Sequence, residues 1–447
     1  MSDSSAAKFP PGPPPNLIRS LFGAMQQNPL EYFTAMAQKY GDVSGMRIGK
    51  FRSLFINHPD LIEDVLVNNS RKYLKGRILR ANKYLFGEGL LTSEGDFWLR
   101  QRRLAQPAFH RARVNAYAAT MAEYAAQLIA TWRHGEQRDI HEEMMQLALR
   151  IVSKTLFDAD VTRDAKEIGE TLDVLLQIAA NFGRTILVPL WVPSPRNIRA
   201  KLGIKRLEKV IYRIIAERRA NGRDTGDLLS ILLQAQDEDG THMNDRQLRD
   251  ETITLFLAGH ETTANTLAWT WWLLAQNPAV EKKFHEELDG VLGRRVPEVD
   301  DLPRLSFLGN VLTESLRLYP TAWGMARLAA EEHEIAGYPV RRGYGVAFAQ
   351  WVIHRDARWF DAPLEFRPER WDNGLAKQLP RFAYFPFGGG PRQCIGNTFA
   401  LMEASVVLAT IGQKFRFQLV PNHKVTPLAS ITLRPKNGIQ VSLEARK

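Results

Sequence analysis

Cysteine is almost absent from this sequence, since Cys394 is the only one among 447 residues. The chain therefore cannot form an intrachain disulfide, which excludes the disulfide-stabilised class of small secreted domain and is compatible with a reducing cytoplasm. No apolar run approaches the ~18 residues of a membrane span, and the small, polar residues 1–7 do not resemble the apolar core of a secretory signal. We therefore expect no transmembrane anchor and a cytoplasmic location.

The charge balance is basic, with a net charge of +10 at pH 7 and a sequence pI near 9.6. A basic protein can bind nucleic acids, anionic membranes or acidic proteins. The sequence has no basic tract interleaved with aromatic residues and no nucleic-acid-binding motif, so we expect no nucleic-acid partner. The 45% hydrophobic content is ordinary for a globular protein and is sufficient for a large core.

The single cysteine stands in a glycine-dense segment, Phe387–Gly396, just before an apolar run, 399–411, that is typical of a helix. A lone cysteine is commonly a small buried hydrophobe, and it can also be a nucleophile or a redox centre. Here the pattern favours a thiolate, because glycines let backbone N–H groups approach a sulfur anion and Arg392 and a helix N-terminus would stabilise it.

This segment resembles the haem-thiolate loop of the cytochrome P450 family at Phe387, Gly390, Arg392, Cys394 and Gly396. The resemblance implies that Cys394 is the axial ligand of the haem iron. The thiolate donates electron density to the iron, which favours O–O cleavage. It further implies that Phe387 shields the sulfur and that Arg392 pairs with a haem propionate. The neighbouring Gly388 is expected to lie against the cofactor.

A second segment, Ala258–Thr263, lies in the middle of a predicted long helix, Asp245–Gln276, which begins at an Asn244/Asp245 cap. Its composition is unfavourable for a buried helix. Gly259 lowers helix stability by about 1 kcal/mol, and a buried Glu261 carboxylate needs hydrogen-bond or charge partners. Glycine–threonine clusters can also open the backbone hydrogen bonds of a helix, and such costs often mark a functional site.

The same segment resembles the oxygen-binding motif of the family, which implies a widened turn that accommodates dioxygen above the haem. The resemblance makes Thr262 the hydrogen-bonding partner of the reduced oxygen and Glu261 the relay that brings protons from solvent. Ala258 is expected to contact the cofactor. His260 occupies a variable position of the motif, so we assign it no role.

Further cofactor contacts are expected from two places. Trp98 and Arg102 are four residues apart, so both can face one anion from one side of a helix, and the resemblance implies that they hold a haem propionate. Arg327 is expected to be a second propionate partner. Arg100 and Arg103 point elsewhere, either into solvent or towards a docking partner.

Three residues are expected to stabilise the scaffold rather than act in catalysis. Glu314 and Arg317 are three apart on a helix, and the resemblance implies that they form a buried network with Arg370 that fixes the loop leading to Cys394. Trp371 stands where the family usually has phenylalanine. Substrate contacts are expected from apolar or small residues of the predicted pocket: Leu85, Phe86, Leu255, Ala322, Trp323, Met325 and Ser430.

The apolar run Ile186–Val192 has three open interpretations: a lid at the substrate entrance, a membrane-touching segment or ordinary core. Local patterns predict a helix over Leu30–Tyr40, a hairpin over Val43–Ile56 and helical structure throughout Thr120–Asp158. The expected fold is a single, mainly α domain of the P450 type with a small β subdomain. A proline-rich hinge would occupy residues 1–16 and the haem domain residues 17–447.

The resemblance implies a monomeric haem b monooxygenase that inserts one oxygen atom from O2 into a hydrophobic molecule such as a fatty acid, terpenoid or steroid. No flavin or iron–sulfur module follows the final strands, so electrons from NAD(P)H are expected to arrive through a reductase with a ferredoxin or flavodoxin. Two alternatives remain open. One is an isomerase or dehydratase of the same fold, and the other is a non-catalytic haem sensor or carrier.

Overall fold

The computed structural model describes residues 9–14, 25, 27–48, 51–159, 168–169, 171–172, 174–175, 178, 192–222, 226–235, 240 and 242–446. Within these, the side chains at positions 48, 84, 85, 196 and 221 are not described. The expected substrate contact of Leu85, most of the Ile186–Val192 run and the hinge apart from residues 9–14 therefore lie outside it.

The described part of the chain is dominated by helices. In chain order they are α1 Pro29–Tyr40, α2 Pro59–Glu63, α3 Arg77–Ala81, α4 Lys83–Phe86, α5 Gly95–Ala105, α6 Arg111–Ala116, α7 Ala118–Ile129, α8 Ile140–Phe157, α9 Pro195–Asn221, α10 Leu228–Gln234, α11 Asp245–Gln276, α12 Pro278–Leu292, α13 Ser306–Leu318, α14 Gln350–Ile353, α15 Leu375–Gln378 and α16 Asn397–Gly412. None of these helices is long and apolar enough to cross a membrane.

Short strands complete the fold: β1 Val43–Ile48, β2 Phe51–Ile56, β3 Tyr73–Lys75, β4 Gln137–Asp139, β5 Met325–Ala329, β6 His333–Ile335, β7 Tyr338–Val340, β8 Gly345–Phe348, β9 Phe415–Leu419, β10 Pro427–Ala429, β11 Leu433–Pro435 and β12 Gln440–Ala445. They form a five-stranded sheet in the order β1-β2-β8-β5-β3, a three-stranded sheet β4-β12-β9, and the pairs β6-β7 and β10-β11. Only the β2–β8 pairing is parallel among these.

The chain separates into two compact units. Unit 1 takes the described residues of Met1–Arg80, Leu316–Glu365 and Arg370–Cys394. It contains the five-stranded sheet and a core in which Leu54, Tyr73, Phe348 and Phe385 are buried. Unit 2 takes those of Ala81–Ser315, Phe366–Glu369 and Ile395–Lys447. Its core includes the stacked rings of Phe157 and Phe256, whose centroids are 4.4 Å apart.

Helix ends follow local sequence signals. The Asn28 side chain accepts from the Glu31 N–H at the start of α1, and Pro29 occupies the first turn, where no N–H is needed. At α11, the Asn244 side chain accepts from the Gln247 N–H while the Gln247 side chain accepts from the Asn244 N–H, each at 2.9 Å. This reciprocal capping box fixes where the longest helix begins.

The predicted fold class, mainly α with small β sheets, is confirmed, as are the α1 helix, the β1–β2 hairpin and the limits of α11. One prediction was wrong. The stretch Thr120–Asp158 is not one helical region but two helices, α7 and α8, separated by β4. Gly135 has φ +82° between them, a conformation that a helix cannot contain and that glycine adopts without strain.

Candidate active site

The cysteine loop of unit 1 is closed by its own backbone. The Cys394 N–H donates to the Phe387 carbonyl at 3.0 Å, and the Gln393 N–H donates to the Gly390 carbonyl at 3.1 Å. Gly388 and Gly390 have φ values of +69° and +68°, which a side chain would strain. The loop thus places Cys394 at its end, three positions before α16 begins.

Close packing explains the remaining glycine requirement. A Cβ atom at Gly389 would lie 2.4 Å from the Phe382 ring, and one at Gly390 would lie 1.9 Å from the Leu66 carbonyl oxygen. Both distances are far below a van der Waals contact, so a side chain at either position would displace the loop. The sequence expectation that these glycines allow close backbone packing is confirmed.

The Cys394 side chain is exposed, whereas free cysteines are among the residues most often buried. An exposed sulfur on a rigid loop can serve as one axial ligand, and a haem supplies its other four iron ligands from the porphyrin ring. The donor chemistry therefore fits the expected cofactor. Arg392 is half-buried beside it and donates to the Ser70 carbonyl at 3.3 Å, which limits the directions that its guanidinium can take.

Two arginines hold the segment that precedes the cysteine loop in unit 1. The fully buried Arg317 donates to the carbonyls of His354, Pro363 and Glu365 at 2.7–3.0 Å. Arg370 donates to two neighbouring carbonyls, those of Asp361 at 2.7 Å and Ala362 at 3.3 Å. Both side chains therefore bind carbonyls of the same stretch, 354–365, while the expected network of both arginines with Glu314 stays a prediction.

Glu314, the acidic member of the expected network, is also fully buried, in unit 2. Its Oε1 accepts from the Arg367 N–H at 3.0 Å. The carboxylate thus fixes the backbone just before the Pro368–Trp371 segment, in which Arg370 lies.

Sequence reasoning missed His354, which joins Arg317 to the cysteine loop. Its Nε2 accepts from the Phe385 N–H at 3.0 Å, two positions before Phe387, while its carbonyl accepts from Arg317. Burial, together with the positive charges of Arg317 and Arg355, holds the pKa of His354 well below its usual range. The imidazole is therefore a neutral acceptor at ordinary pH. A histidine before an arginine, His354-Arg355, carries no local signal of this role.

The other expected site residues of unit 1 lie on or beside β5. Arg327 is buried at 5% exposure within β5, opposite Lys75 of β3. Met325 is half-buried, and its Cε would lie 3.3 Å from a Cβ on Gly388, so this side chain touches the cysteine loop. Ala322 and Trp323 are half-buried, and the Trp323 ring lies 6.2 Å from Phe33. The Trp323 side chain therefore has a packing partner in addition to its expected substrate role.

In unit 2, one stripe of α11 differs from the rest of the helix. Positions 248–274 are buried except for Ala258, which is exposed, and Gly259, Thr262 and Trp272, which are half-buried. Ala258 and Thr262 are four residues apart and share a face with the buried Leu255. Three expected cofactor, catalytic and substrate residues therefore lie on one stripe. A small exposed residue in a buried helix is the surface that a flat cofactor needs.

The expected widening of the helix at this segment was wrong, because α11 is α-helical throughout Asp245–Gln276. The Thr262 hydroxyl donates to the Ala258 carbonyl at 2.6 Å, as threonine hydroxyls commonly do within a helix. Gly259 has a packing reason instead: a Cβ there would lie 2.9 Å from Cγ2 of Val152 on α8.

Glu261 and His260 point away from the Ala258 stripe and are buried. The Glu261 Oε1 accepts from the Thr432 hydroxyl at 2.7 Å. Burial lowers the pKa of His260 to about 4, partly offset by a hydrogen bond with the Met145 backbone and reinforced by the charge of His141. His260 is therefore neutral at ordinary pH and faces α8, in keeping with the absence of an assigned role.

The remaining expected residues of unit 2 lie on several elements. Trp98 is buried and Arg102 half-buried on α5, as the four-residue spacing predicts. Phe86 is fully buried at the end of α4. Ser430 is half-buried in the turn between β10 and β11.

A second buried acid, Glu403 of α16, was also missed. The side chain is fully buried, neither carboxylate oxygen has a hydrogen-bond partner among the described residues, and burial raises its pKa well above the usual range. Its signal was present in the sequence, because Glu403 is the only charged residue in the apolar run 399–411. A buried acid of this kind is often functional.

Comparison with known proteins finds relatives of this sequence. The sequence model of the family described as cytochrome P450 matches residues 10–443. Cyclooctat-9-en-7-ol 5-monooxygenase from Streptomyces melanosporofaciens is 36% identical over 416 residues, which cover 92% of this chain and 89% of that protein. Cyclooctatin synthase from the same organism is also 36% identical, over 92% and 90%. Pentalenene oxygenase from Streptomyces avermitilis is 34% identical over 428 residues, 94% of each chain.

Proposed function

The chain belongs to the cytochrome P450 family and is a haem-dependent monooxygenase by that membership, and we propose that its substrate is a hydrophobic molecule of the terpenoid class. The observation that carries the enzymatic proposal is the exposed Cys394 thiol at the end of a loop that tolerates no side chain at Gly389 or Gly390. In the overall reaction, O2, two electrons and two protons convert R–H into R–OH and one water.

The cofactor of this proposal is haem b, and the residues that would hold it are drawn from the geometry above. Cys394 supplies the thiolate ligand, with Phe387 half-buried beside the loop. Arg392, Arg327, Trp98 and Arg102 supply donors for the propionates. When bound, the haem supplies the oxidising chemistry, while these residues fix its orientation.

The chain's own contribution to the reaction is proton delivery. Thr262 presents its hydroxyl from the exposed stripe of α11, and Glu261, one position further back, is a buried acid. In this proposal Thr262 donates a hydrogen bond to the reduced oxygen in place of its present bond to the Ala258 carbonyl. Glu261 would relay protons from solvent to that hydroxyl as a general acid does, and its side chain, which points away from the Ala258 stripe in this structure, would have to turn towards it.

Two lines of support favour a terpenoid: the names of the relatives favour it over a fatty acid or a steroid, and the uncharged candidate contacts favour it over a fatty acid. The three relatives are named for the oxygenation of cyclooctat-9-en-7-ol, the formation of cyclooctatin and the oxygenation of pentalenene. The described candidate contacts (Phe86, Leu255, Ala322, Trp323, Met325 and Ser430) offer apolar or small side chains and no charge, which suits a substrate without an ionised group. Cytoplasmic location, a monomeric state and a ferredoxin or flavodoxin donor with an NAD(P)H reductase complete the proposal.

The first experiment is the absorption spectrum of the reduced, carbon-monoxide-bound protein. We expect the strongly red-shifted Soret band of a thiolate-ligated haem, and we expect Cys394→Ser to lose it. Phe387→Leu is the control, because it alters the same loop and keeps the sulfur. An unchanged band in Cys394→Ser would show that another residue is the ligand.

The substrate class is then tested by titrating the oxidised protein with matched panels of cyclic terpenoids, linear fatty acids and steroids. A shift of the iron from low to high spin, followed by oxygenated product in a reaction with a surrogate ferredoxin system, identifies a substrate. We expect both signals with the terpenoid panel. Turnover of fatty acids or steroids alone would contradict the substrate proposal and leave the enzymatic class intact.

The role of Thr262 is tested by Thr262→Ala, with Thr262→Ser as the control that keeps the hydroxyl. We expect Thr262→Ala to consume NAD(P)H at a comparable rate while releasing hydrogen peroxide in place of most product. Product yield per NAD(P)H equal to that of the unsubstituted enzyme would remove Thr262 from the proposal.

A further inference from the structure

The Glu261 carboxylate is held by a residue far away in the sequence. Thr432, which lies in the turn between β10 and β11, donates its hydroxyl to Oε1 of Glu261 at 2.7 Å. Glu261 is 2% exposed and Thr432 6% exposed, so this hydrogen bond forms where water does not compete freely.

The turn that carries Thr432 is fixed independently of Glu261. The indole N–H of the fully buried Trp269, two helical turns along α11, donates to the Leu433 carbonyl at 3.0 Å. The Ser430 N–H donates to the Thr432 carbonyl at 2.9 Å and tightens the turn. Thr432 therefore reaches the acid from a backbone that the helix itself anchors.

The hydrogen bonds continue beyond Thr432 to α8. The Asn265 Nδ2 donates to the Thr432 hydroxyl oxygen at 3.3 Å, and the Asn265 Oδ1 faces Nε2 of His141 at 2.9 Å. Asn265 is fully buried and His141 is half-buried near the start of α8, where its backbone N–H donates to the Asp139 side chain. One line of hydrogen bonds therefore runs from His141 to Glu261.

Each hydrogen bond in this series has a defined donor and acceptor. Since the Asn265 amide group gives its N–H to Thr432, the hydroxyl oxygen of Thr432 is an acceptor on that side, and its single proton is left for Glu261. His141 keeps the Asn265 oxygen occupied when its Nε2 carries a proton, and so prevents the amide from turning round. The Oε1 atom of Glu261 is consequently an acceptor, and the Thr432 hydroxyl sets its position.

We propose that Thr432 is a positioning residue for the reaction: it holds Oε1 of Glu261 and so sets the orientation of the carboxyl group that carries the protons, and Asn265 and His141 orient the Thr432 hydroxyl. The inference rests on the proposed role of Glu261 as the proton carrier. It also links that acid to the turn containing Ser430, an expected substrate contact. His260, beside Glu261, is neutral and bonds to the Met145 backbone on α8, so it does not replace Thr432.

The test compares Thr432→Val, which keeps the shape and loses the hydroxyl, with Thr432→Ser, which keeps the hydroxyl. In the haem-loaded enzyme with a substrate and a surrogate ferredoxin system, we expect Thr432→Val to lower product per NAD(P)H roughly tenfold, the factor of one hydrogen bond to a charged group. Peroxide should replace the lost product. Thr432→Ser should keep the coupling of the unsubstituted enzyme, which a purely structural role of the methyl group would not predict.

A second readout does not depend on turnover. The thermal unfolding midpoint of the holoenzyme is measured for Thr432→Val, for Glu261→Met and for the double variant. We expect Thr432→Val to lower the midpoint when Glu261 is present and to lower it less in the Glu261→Met background, where no carboxylate remains to be held and only the Asn265 amide loses its acceptor. Equal shifts in both backgrounds would overturn the proposed hydrogen bond.

Glu261→Gln separates this inference from the function on which it rests. If Glu261→Gln uncouples the enzyme and Thr432→Val does not, Thr432 is not a positioning residue and the inference alone fails. If Glu261→Gln keeps full coupling, the acid has no role in proton delivery, and the inference falls with it. Loss of coupling in both Glu261→Gln and Thr432→Val, with rescue by serine, supports both.

Discussion

At the scale of single residues, Glu403 shows how burial alone can set the pH dependence of stability. Its raised pKa means that the folded state keeps a proton that the unfolded chain has already released. Stability is therefore greatest below the ordinary glutamate pKa of about 4.3 and falls as the pH rises through the folded-state pKa. An acid without a partner in an apolar helix is thus a liability at neutral pH.

We predict that Glu403→Gln stabilises the holoenzyme at pH 7–8 by about 1–3 kcal/mol, because the amide releases no proton when the chain unfolds and each unit of raised pKa is worth about 1.4 kcal/mol. The gain should disappear near pH 4, where the glutamate of the unsubstituted protein is protonated. Chemical-denaturation midpoints measured from pH 4 to pH 8 check this. Parallel curves for the two proteins would mean that Glu403 does not titrate on unfolding.

His354 gives the opposite sign. Its depressed pKa means that, as the pH falls, the unfolded chain binds a proton before the folded one does. The contribution of His354 to stability is therefore fully present above the ordinary histidine pKa of about 6.5 and is lost as the pH falls below it.

We predict that His354→Phe costs about 1–3 kcal/mol at pH 7.5, because the Phe385 N–H loses its acceptor. It should also flatten the loss of stability between pH 6.5 and 5. His260→Phe removes another buried histidine with a lowered pKa and keeps the Phe385 hydrogen bond, so it should also flatten the pH dependence and is the control for the loss at pH 7.5. A pH dependence in His354→Phe as steep as that of the unsubstituted protein would contradict this.

Sequence reasoning at this scale succeeded where a residue type has a local meaning. Neighbouring positions alone were enough to predict a glycine loop that ends at Cys394 and one helix that carries Trp98 and Arg102, while the roles of these residues towards the cofactor stay predictions. His354, Thr432 and Asn265 could not, because each acts through a partner that is distant in the chain, such as Thr432 with Glu261. The pairings of Thr432 and Asn265 arise only when the β10–β11 hairpin folds back onto α11.

At the scale of secondary-structure elements, the contact between α8 and α11 explains a glycine that the sequence associated with oxygen binding. A Cβ at position 259 would lie 2.9 Å from Val152, which is fully buried and β-branched and so cannot easily move aside. The low helix propensity of glycine correctly indicated that position 259 has a specific requirement for this residue. It could not indicate the cause, which lies on another helix.

We predict that Gly259→Ala destabilises the protein by about 1–2 kcal/mol, since overpacking against Val152 outweighs the ~1 kcal/mol gain in helix propensity. In a Val152→Ala background the same substitution should stabilise, because the clash is gone and the propensity gain remains. Unfolding midpoints of the two single variants and the double variant check this reversal. Destabilisation of similar size in both backgrounds would mean that Val152 is not the obstacle.

The boundaries of helices and strands also divide into those with a local sequence signal and those that depend on a distant partner. The start of α11 was predictable because Asn244 and Gln247 carry their capping signal in the sequence. The break between α7 and α8 was missed although Gly135 stands in it, because β4 is only three residues long and exists through its pairing with β12. A strand that short has no periodicity of its own to read.

At the scale of the whole molecule, the net charge of +10 bears on how electrons reach the enzyme. Ferredoxins and flavodoxins of the proposed kind would be attracted if they are acidic, and long-range attraction raises association rates at low ionic strength. Exposed charges are screened within about 10 Å at 0.1 M salt. Arg103, an exposed residue of α5 next to Arg102, is the candidate docking residue among those described.

We predict that the rate of reduction by an acidic ferredoxin falls roughly tenfold between low salt and 0.5 M salt. Arg103→Glu should slow reduction further at low salt and leave it nearly unchanged at high salt, because screening removes the charge difference. Arg294→Glu, an equal charge change at an exposed residue after α12, is the control. If both variants slow reduction equally, the attraction belongs to the net charge and not to a docking surface on α5. A rate that does not depend on salt would exclude electrostatic attraction as the basis of partner choice.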